Sequence, residues 1–259
     1  MLRFLGNIRT NVDNTAAQLP KSEAMKLNSV AGGFERDGYV VIENFFAADL
    51  MDDLDELIRI HFGENPDYLH DHEFLDQAQT EVIPWFPQNE GVKAFDAIDG
   101  DSRFRELSEA ILGDGWTSQY SMVMFSKQGT SGQAWHQDCA PDDPTTFNLN
   151  RLVYTSDITD EIGGQTVVVP GSHKKGLLPT GDPVGKFENQ VVLRPRKGTL
   201  LLLHGHTWHR VLPITGRYRY STNYRAAPTG TPDTITDVCV YRNMRYQFST
   251  SSVIEERTA

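Results

Sequence analysis

The sequence predicts a mainly β fold with flanking helices, and two features of the chain indicate it. From Trp116 onward, short segments rich in β-branched and aromatic residues alternate with clusters of Gly, Pro and Asp. That texture is typical of a sandwich or jelly roll. Before that point, apolar residues recur at helical spacing over residues 49–61 and 101–112, which favours helices packed onto the β core.

The 259 residues are expected to form a single domain, because no linker, internal repeat or low-complexity tract interrupts them. Residues 1–20 are polar and lack periodicity, so they are predicted to be a flexible arm. Residues 22–115 are assigned to a helical wrap, in which the irregular segment 63–100 is a candidate lid. Residues 116–248 are predicted to form the core, a double-stranded β-helix (jelly roll, cupin-like).

The individual elements follow from periodicity and turn signals. Helices are predicted at residues 22–36, with a break near Gly32 and Gly33, at 49–61 and at 101–112. Strands are predicted at residues 38–43, 120–125, 151–155, 166–169, 191–193, 199–203 and 218–225. A last element is expected over residues 237–246, and the residues after Ser249 are expected to be frayed.

Composition excludes several classes of function. A net charge of −11 argues against a nucleic-acid surface, which needs a basic patch. No stretch approaches the roughly 18 consecutive apolar residues of a membrane span, and the N-terminus has no apolar run typical of a signal peptide. Two cysteines cannot form a disulfide framework. The chain is therefore interpreted as a cytoplasmic protein with a small-molecule substrate and no nucleic-acid or membrane partner.

The segment Trp-His-Gln-Asp at residues 135–138 is the part of the chain with the clearest chemistry. Residues two apart on an extended strand face the same side, so His136 and Asp138 can meet one metal ion. A second histidine cluster lies downstream at His204, His206 and His209. A His-x-Asp pair with a distant histidine is the facial triad of non-haem Fe(II) oxygenases, which leaves further positions on the ion open.

Several stretches resemble the phytanoyl-CoA dioxygenase family. Residues 34–45 are similar to its opening pattern F-x-x-D-G-Y-V-V-I-x-N-F. Residues 163–176 are similar to its signature N-G-x-L-x-V-x-P-G-S-H-x-x-G, with Gly163 where the family usually has Asn. Together with the His-Gln-Asp segment and with His209 and Arg219, the resemblance covers most of the chain, from about Phe34 to Arg225.

The resemblance implies a set of iron ligands in this chain, namely His136, Asp138 and His209. His209 is favoured because the residues after it, Arg210 to Pro213, resemble the family's H-x-x-x-P-N turn. It also lies ten residues before Arg219, near the family's usual spacing. His206 is the alternative.

The resemblance also implies a 2-oxoglutarate site. Arg219 with Ser221 matches the family's Arg-x-Ser pair, which holds the C5 carboxylate of 2-oxoglutarate. An arginine suits this role because its planar fork binds a carboxylate bidentately and stays charged. Arg217 lies two residues away on the same strand face and is the alternative. Gln133 and Thr166 match family positions that hydrogen-bond the cosubstrate.

The implied function is a non-haem dioxygenase that uses Fe(2+), 2-oxoglutarate and O2. An aspartate at position 138, where related halogenases have a small residue, indicates hydroxylation-type chemistry. We expect oxidation of an unactivated C–H bond of a small organic substrate with release of succinate and CO2, or desaturation or cyclisation by the same route. Aromatic candidates for the substrate pocket are Trp85, Phe86, Tyr120, Trp135 and Tyr224. Trp85 and Phe86 have the alternative role of packing their own loop.

Three other functions fit the same fold. A cupin-like metal-binding protein without oxidative chemistry is expected to lack the carboxylate-binding arginine, and Arg219 is present. A non-catalytic binding module is expected to have degenerate ligands, and none of the three ligand positions is missing. A hydrolytic zinc enzyme uses similar ligands, but it leaves the Arg-x-Ser strand unexplained.

Overall fold

The computed structural model describes residues 21–63, 66, 72–248 and 252–258. Its helices are α1 (Lys21–Asp37), α2 (Ala48–Phe62), α3 (His72–Ala78), α4 (Asp96–Asp99) and α5 (Ser102–Leu112). Its strands are β1 (Tyr39–Ile42), β2 (Ile83–Trp85), β3 (Thr117–Lys127), β4 (Gln133–Gln137), β5 (Leu149–Val153), β6 (Thr166–Val168), β7 (Val191–Val192), β8 (Leu200–His204), β9 (His209–Val211), β10 (Tyr218–Ala227), β11 (Val238–Tyr241), β12 (Met244–Gln247) and β13 (Ser252–Glu256).

Two antiparallel sheets face each other across a cavity. One sheet has the strand order β1-β8-β5-β10-β3-β2, and the other has the order β13-β12-β11-β4-β9-β6-β7. From β3 to β6 and again from β8 to β11, each strand lies in the sheet opposite the preceding one. This alternation is the winding of a jelly roll. The predicted mainly β fold with flanking helices is confirmed.

Helices α1, α2, α4 and α5 cover the outer face of the six-stranded sheet, whereas α3 packs against the seven-stranded sheet. Helix α2 buries Met51, Leu54, Ile58 and Phe62, which recur at the three- and four-residue spacing of one helix face. They join a core with residues of α1, α5, β3 and β8. Each buried apolar side chain of this kind contributes about 1.5–3 kcal/mol, so the helical wrap stabilises the six-stranded sheet. No helix in the described part of the chain is long and apolar enough to cross a membrane.

Three predictions about the elements were wrong. Helix α1 continues through Gly32 and Gly33, because Phe34, just beyond them, is buried in the core and this packing offsets the roughly 1 kcal/mol that each helical glycine costs. Residues 252–256, expected to be frayed, form β13 and pair with β12. Segment 63–100 contains α3, β2 and α4. The predicted arm, residues 1–20, lies outside the described residues.

Candidate metal centre and cosubstrate pocket

His136 and His209 are direct partners in the ladder between β4 and β9. Directly opposite residues of an antiparallel pair have Cβ atoms about 4.5–5.5 Å apart, so their side chains meet on one face. The two imidazole centroids lie 4.1 Å apart. Asp138 directly follows β4, with Oδ1 3.8 Å from His136 Nε2 and Oδ2 3.4 Å from His209 Nε2.

These three buried side chains form a group with metal-ligand geometry. One donor atom from each lies within 4.8 Å of the other two. In the described ranges, no other group of three or more His, Cys, Asp or Glu side chains meets this criterion. Two imidazoles and one carboxylate suit a non-haem iron(II) ion and leave positions open for other ligands.

Both histidines are held in the tautomer that a metal needs. His136 Nδ1 lies 2.8 Å from the carbonyl oxygen of Ala134, and His209 Nδ1 lies 2.8 Å from that of Thr207. A carbonyl only accepts, so each Nδ1 carries the proton and each Nε2 keeps a free lone pair. Burial, reinforced by the neighbouring His209, lowers the pKa of His136 to about 3. The imidazole is therefore neutral at physiological pH, as metal binding requires.

Asp138 is held as a carboxylate. Burial alone raises its pKa, but the charge of Arg225 outweighs burial with help from both histidines and Asn150, and the pKa falls to about 2. Arg225 Nη2 donates to Oδ1 at 3.1 Å, and Asn150 Nδ2 donates to Oδ2 at 2.6 Å. Charge-assisted hydrogen bonds of this kind favour the ionised form, so Asp138 stands in the form that binds a metal.

The other two histidines of the downstream cluster do not join this group. The His204 ring stacks on Phe147 with centroids 3.9 Å apart. His204 Nδ1 accepts a hydrogen bond from the backbone N–H of His206 at 3.1 Å. The His206 side chain is buried, and its Nε2 has no hydrogen-bond partner within the described ranges. The geometry therefore favours His209 over His206.

Arg219 is a buried cation with no carboxylate partner among the described residues; it is only 4% exposed. Its Nε donates to the Gly164 carbonyl at 3.2 Å, Nη1 to Ser221 Oγ at 3.2 Å and Nη2 to Thr166 Oγ1 at 3.5 Å. Burial lowers its pKa, because a charge away from water is unfavourable without a counter-ion. An anionic ligand in the cavity would supply that counter-ion. Arg217, the alternative, is exposed.

The triad and Arg219 line one cavity of about 410 Å³ between the sheets. Gln133 and Thr166, the two candidates for cosubstrate contacts, also line it, whereas Ser221 reaches the site through its hydrogen bond to Arg219. The remaining polar side chains of the wall include Asn150, Asn223 and Arg225. The apolar part of the wall includes Val82, Pro84, Phe86, Met122, Met124, Leu152, Tyr241 and Phe248. A largely apolar cavity with a few convergent polar groups is typical of a small-molecule site.

Two of the five predicted pocket aromatics, Phe86 and Tyr120, line the cavity, with ring centroids 6.0 Å apart. The prediction was wrong for the other three, Trp85, Trp135 and Tyr224, which are buried in packing elsewhere. Their rings pack on His61, Phe187 and Phe104, respectively.

Strand pleating explains these errors. Successive side chains on a strand face opposite sides. His136 faces the cavity, so its neighbour Trp135 faces away; Tyr224, between Asn223 and Arg225, is directed outward for the same reason. Trp85 packs against the core while Phe86 reaches the cavity.

Sequence reasoning assigned no role to several residues that the structure places at the site: Asn150, Asn223, Arg225 and Tyr241. Tyr241 pairs with His136 across β4 and β11, and its ring stacks on the imidazole at 5.4 Å between centroids. One signal was present in the sequence, since Arg219, Ser221, Asn223 and Arg225 alternate along β10 with the two-residue period of one strand face.

A jelly roll that holds two histidines and an aspartate beside a buried arginine, with no carboxylate paired to that arginine in the described ranges, defines the class of iron(II)- and 2-oxoglutarate-dependent oxygenases. The sequence itself gives the family. The model of the phytanoyl-CoA dioxygenase (PhyH) family matches residues 34–219, more than half of the chain. The protein belongs to this family. No curated protein sequence matches it significantly.

Solved structures with a similar fold include SnoN, HygX and EvdO2. The 2-oxoglutarate-dependent epimerase SnoN of nogalamycin biosynthesis is 20% identical with a TM-score of 0.60, covering 85% of this chain and 86% of its own. HygX from Streptomyces hygroscopicus, solved with nickel and 2-oxoglutarate, is 15% identical with a TM-score of 0.60, covering 82% and 88%. EvdO2 from Micromonospora carbonacea var. aurantiaca is 15% identical with a TM-score of 0.60, covering 77% and 90%.

Proposed function

We propose that this protein is an Fe(II)- and 2-oxoglutarate-dependent oxygenase that hydroxylates an unactivated C–H bond of a small organic substrate and releases succinate and CO2. One observation carries the proposal: a His-Asp-His ligand group and a buried arginine lie in one cavity. The arginine has no carboxylate partner among the described residues. The ligand group would hold the metal, and the arginine would hold an anion. Such an enzyme needs both of these sites.

His136, Asp138 and His209 would hold the iron. The bound iron, with 2-oxoglutarate and O2, supplies the oxidising power for attack on the substrate. The protein's own contribution is orientation, because the carbonyls of Ala134 and Thr207 fix both imidazoles with Nε2 available. Burial of all three ligands also limits access of water to the reacting centre.

Arg219 would bind the far carboxylate of 2-oxoglutarate. Thr166 and Ser221 already accept hydrogen bonds from its guanidinium, so the fork is oriented before the ligand arrives. Gln133 lines the same cavity and would hydrogen-bond the cosubstrate. The cupin-like and binding-module alternatives provide no reason to keep a buried arginine without a carboxylate partner in the described part of the chain.

The substrate would lie against the apolar wall, where Phe86, Met122 and Met124 line the cavity beside Tyr120. This wall supports a mainly apolar small molecule. Two structural neighbours were solved with small molecules bound: SnoN with nogalamycin RO and HygX with hygromycin B. Hydroxylation is proposed because an aspartate occupies the carboxylate position; epimerisation, the reaction of SnoN, uses the same cofactors and is distinguished by product analysis.

The test is an anaerobic titration of the apo protein with Fe(II) and then 2-oxoglutarate. We expect the weak visible charge-transfer band of a keto acid chelated to iron. The band should disappear in His136→Ala and should need far more 2-oxoglutarate in Arg219→Ala. Succinate release in air then provides the assay for a substrate screen.

The chain offers a matched control for the third ligand. His206 and His209 are both buried and lie three residues apart, but His209 alone joins the ligand group. His209→Ala should therefore abolish the band, while His206→Ala should retain it. Absence of the band in wild-type protein that holds iron would refute the proposed function.

A further inference from the structure

Tyr120, Arg225 and Asn150 form one row across the inner face of the six-stranded sheet. Arg225 on β10 is the direct partner of Tyr120 on β3 and of Asn150 on β5. All three side chains line the cavity. The row lies opposite Asp138, which comes from the other sheet, so the metal-ligand group is held from both sides.

The row donates a hydrogen bond to each carboxylate oxygen of Asp138. Arg225 Nη2 reaches Oδ1 at 3.1 Å, and Asn150 Nδ2 reaches Oδ2 at 2.6 Å. With both oxygens engaged, the carboxylate cannot rotate about its Cβ–Cγ bond without breaking a buried hydrogen bond. Each oxygen still has a second lone pair with which to meet a metal ion.

Arg225 is itself fixed by the wall of the cavity. Its Nη1 donates to the Tyr120 hydroxyl at 2.9 Å, and its guanidinium carbon lies 5.5 Å from the Tyr120 ring centroid. The Tyr120 hydroxyl in turn donates to Thr236 Oγ1 at 3.4 Å. Arg225 is only 7% exposed. A guanidinium fork can hold Asp138 and Tyr120 at once, which the single ammonium group of a lysine does less well.

We propose that Arg225 is a positioning residue that holds the Asp138 carboxylate in its metal-binding orientation and joins it to the cavity wall through Tyr120. This inference rests on the proposed function, since it assigns Asp138 to the metal. Arg225 touches the ligand and not the ion, so its role is to prepare the site before the ion arrives. Partners of this kind, one shell away from a metal, commonly change metal affinity about 10- to 100-fold when they are removed.

The experiment is a titration of the apo protein with Co(II), without 2-oxoglutarate, followed by the visible d–d absorption of the bound ion. We expect Arg225→Gln to weaken Co(II) binding by at least about tenfold and to alter the absorption envelope. Arg225→Lys should recover only part of the affinity, since it restores the charge but not the fork. Co(II) affinity in Arg225→Gln equal to that of the wild type would overturn the inference, as would full recovery in Arg225→Lys.

Arg219→Gln is the matched control, because it makes the same change on the same strand face six residues away. It should keep wild-type Co(II) affinity and lose 2-oxoglutarate affinity, the reverse of Arg225→Gln. A wild-type protein that binds neither Co(II) nor Fe(II) contradicts the proposed function itself, whereas normal binding in both wild type and Arg225→Gln contradicts only the role of Arg225.

Loss of Arg225 also leaves a buried carboxylate without its counter-ion, which can prevent folding. Tyr120→Phe provides the second variant, since it keeps Arg225 and the aromatic ring and removes only the hydroxyl that anchors the fork. It should fold normally and bind Co(II) more weakly than the wild type, with a smaller loss than Arg225→Gln. Unchanged Co(II) affinity in Tyr120→Phe would contradict the anchoring step.

Discussion

Gly164 and Arg219 fit together only because Gly164 has no side chain. The Gly164 carbonyl accepts a hydrogen bond from Arg219 Nε at 3.2 Å, and a Cβ built at Gly164 would lie 2.8 Å from Arg219 Cγ. The backbone at Gly164 also has a φ of 68°, in the left-handed region that favours glycine. The glycine-rich segment therefore shapes the arginine pocket directly.

Gly164→Ala should weaken 2-oxoglutarate binding by displacing Arg219. The left-handed backbone adds a strain of about 1–2 kcal/mol, so stability should also fall. Gly129→Ala separates the two effects, because Gly129 has a φ of 86° but nothing within 4 Å of a new Cβ. We expect both variants to lose stability and Gly164→Ala alone to lose 2-oxoglutarate affinity by calorimetric titration. Equal 2-oxoglutarate affinities in the two variants would contradict this account.

Arg219→Met should have opposite effects on the free and the bound protein. The ligand-free protein should become more stable, by about 1 kcal/mol, because an apolar side chain of similar length replaces a buried charge that has no carboxylate partner among the described residues. Saturating 2-oxoglutarate, at about 100 times its dissociation constant, should stabilise wild type by about 2.7 kcal/mol and the variant hardly at all. Urea unfolding with and without 2-oxoglutarate measures both. A less stable ligand-free variant would be the contrary result.

His206 should make the protein sensitive to acid. Burial, with a smaller contribution from His173, lowers its pKa from 6.5 to about 4, against smaller raising effects of a hydrogen bond with the Ala140 backbone and of the charges of Asp142 and Asp143. Above pH 6.5 both the folded and the unfolded states are neutral at this residue, so it contributes nothing there. Between pH 6.5 and 4 the unfolded state binds a proton that the folded state does not, so stability falls as pH falls, by up to about 1.4 kcal/mol per pH unit. Below pH 4 this loss levels off.

His206→Gln cannot take up that proton, so its free energy of unfolding should fall less steeply than that of wild type between pH 6.5 and 4. The difference between the two proteins removes the contributions of the other titrating groups. Urea unfolding at pH 7.5, 6 and 5 provides the comparison, and parallel pH profiles for the two proteins would rule out this role for His206.

Trp85 and Phe86 should differ sharply when each is truncated. Trp85 is buried against His61, Phe62 and Phe95, so Trp85→Ala should cost about 3–5 kcal/mol of unfolding free energy. Phe86 is half-buried at the cavity, so Phe86→Ala should cost about 1 kcal/mol or less and enlarge the pocket. Urea unfolding of both variants measures these losses of unfolding free energy. If Phe86→Ala lost as much unfolding free energy as Trp85→Ala, Phe86 would belong to the core.

The features that sequence predicted well depend on local spacing. His136 and Asp138 are two residues apart, and the alternation of one strand face is enough to bring them together. The same period places Arg219 and Ser221 side by side on β10. Helix α2 was predicted from apolar residues at helical spacing, because such residues lie on one face of a helix and are buried together.

The features that sequence did not predict depend on which strands pair. The contact of Arg225 with Asp138 joins β10 of one sheet to the end of β4 in the other, and no local pattern encodes it. Tyr241 reaches His136 only because β11 pairs with β4. The prediction of pocket aromatics was wrong at Trp135 and Tyr224, because it did not assign each strand residue to the inward or the outward face of its sheet. These contacts join residues far apart in the sequence, so the three-dimensional structure was needed to identify them.

His136, His209 and Arg219 lie on paired strands, and Asp138 directly follows one of them. Much of the rim of the cavity, in contrast, comes from segments that adjoin strands β2, β11 and β12. Val82 and Phe86 flank the short strand β2, Asp237 precedes β11, and Phe248 follows β12. A substitution on the rim therefore leaves the ladder of the metal group untouched. Such a division allows the range of accepted molecules to diverge during evolution while the oxidation chemistry is inherited unchanged, and it marks the rim as the place to begin when redirecting the enzyme to a new substrate.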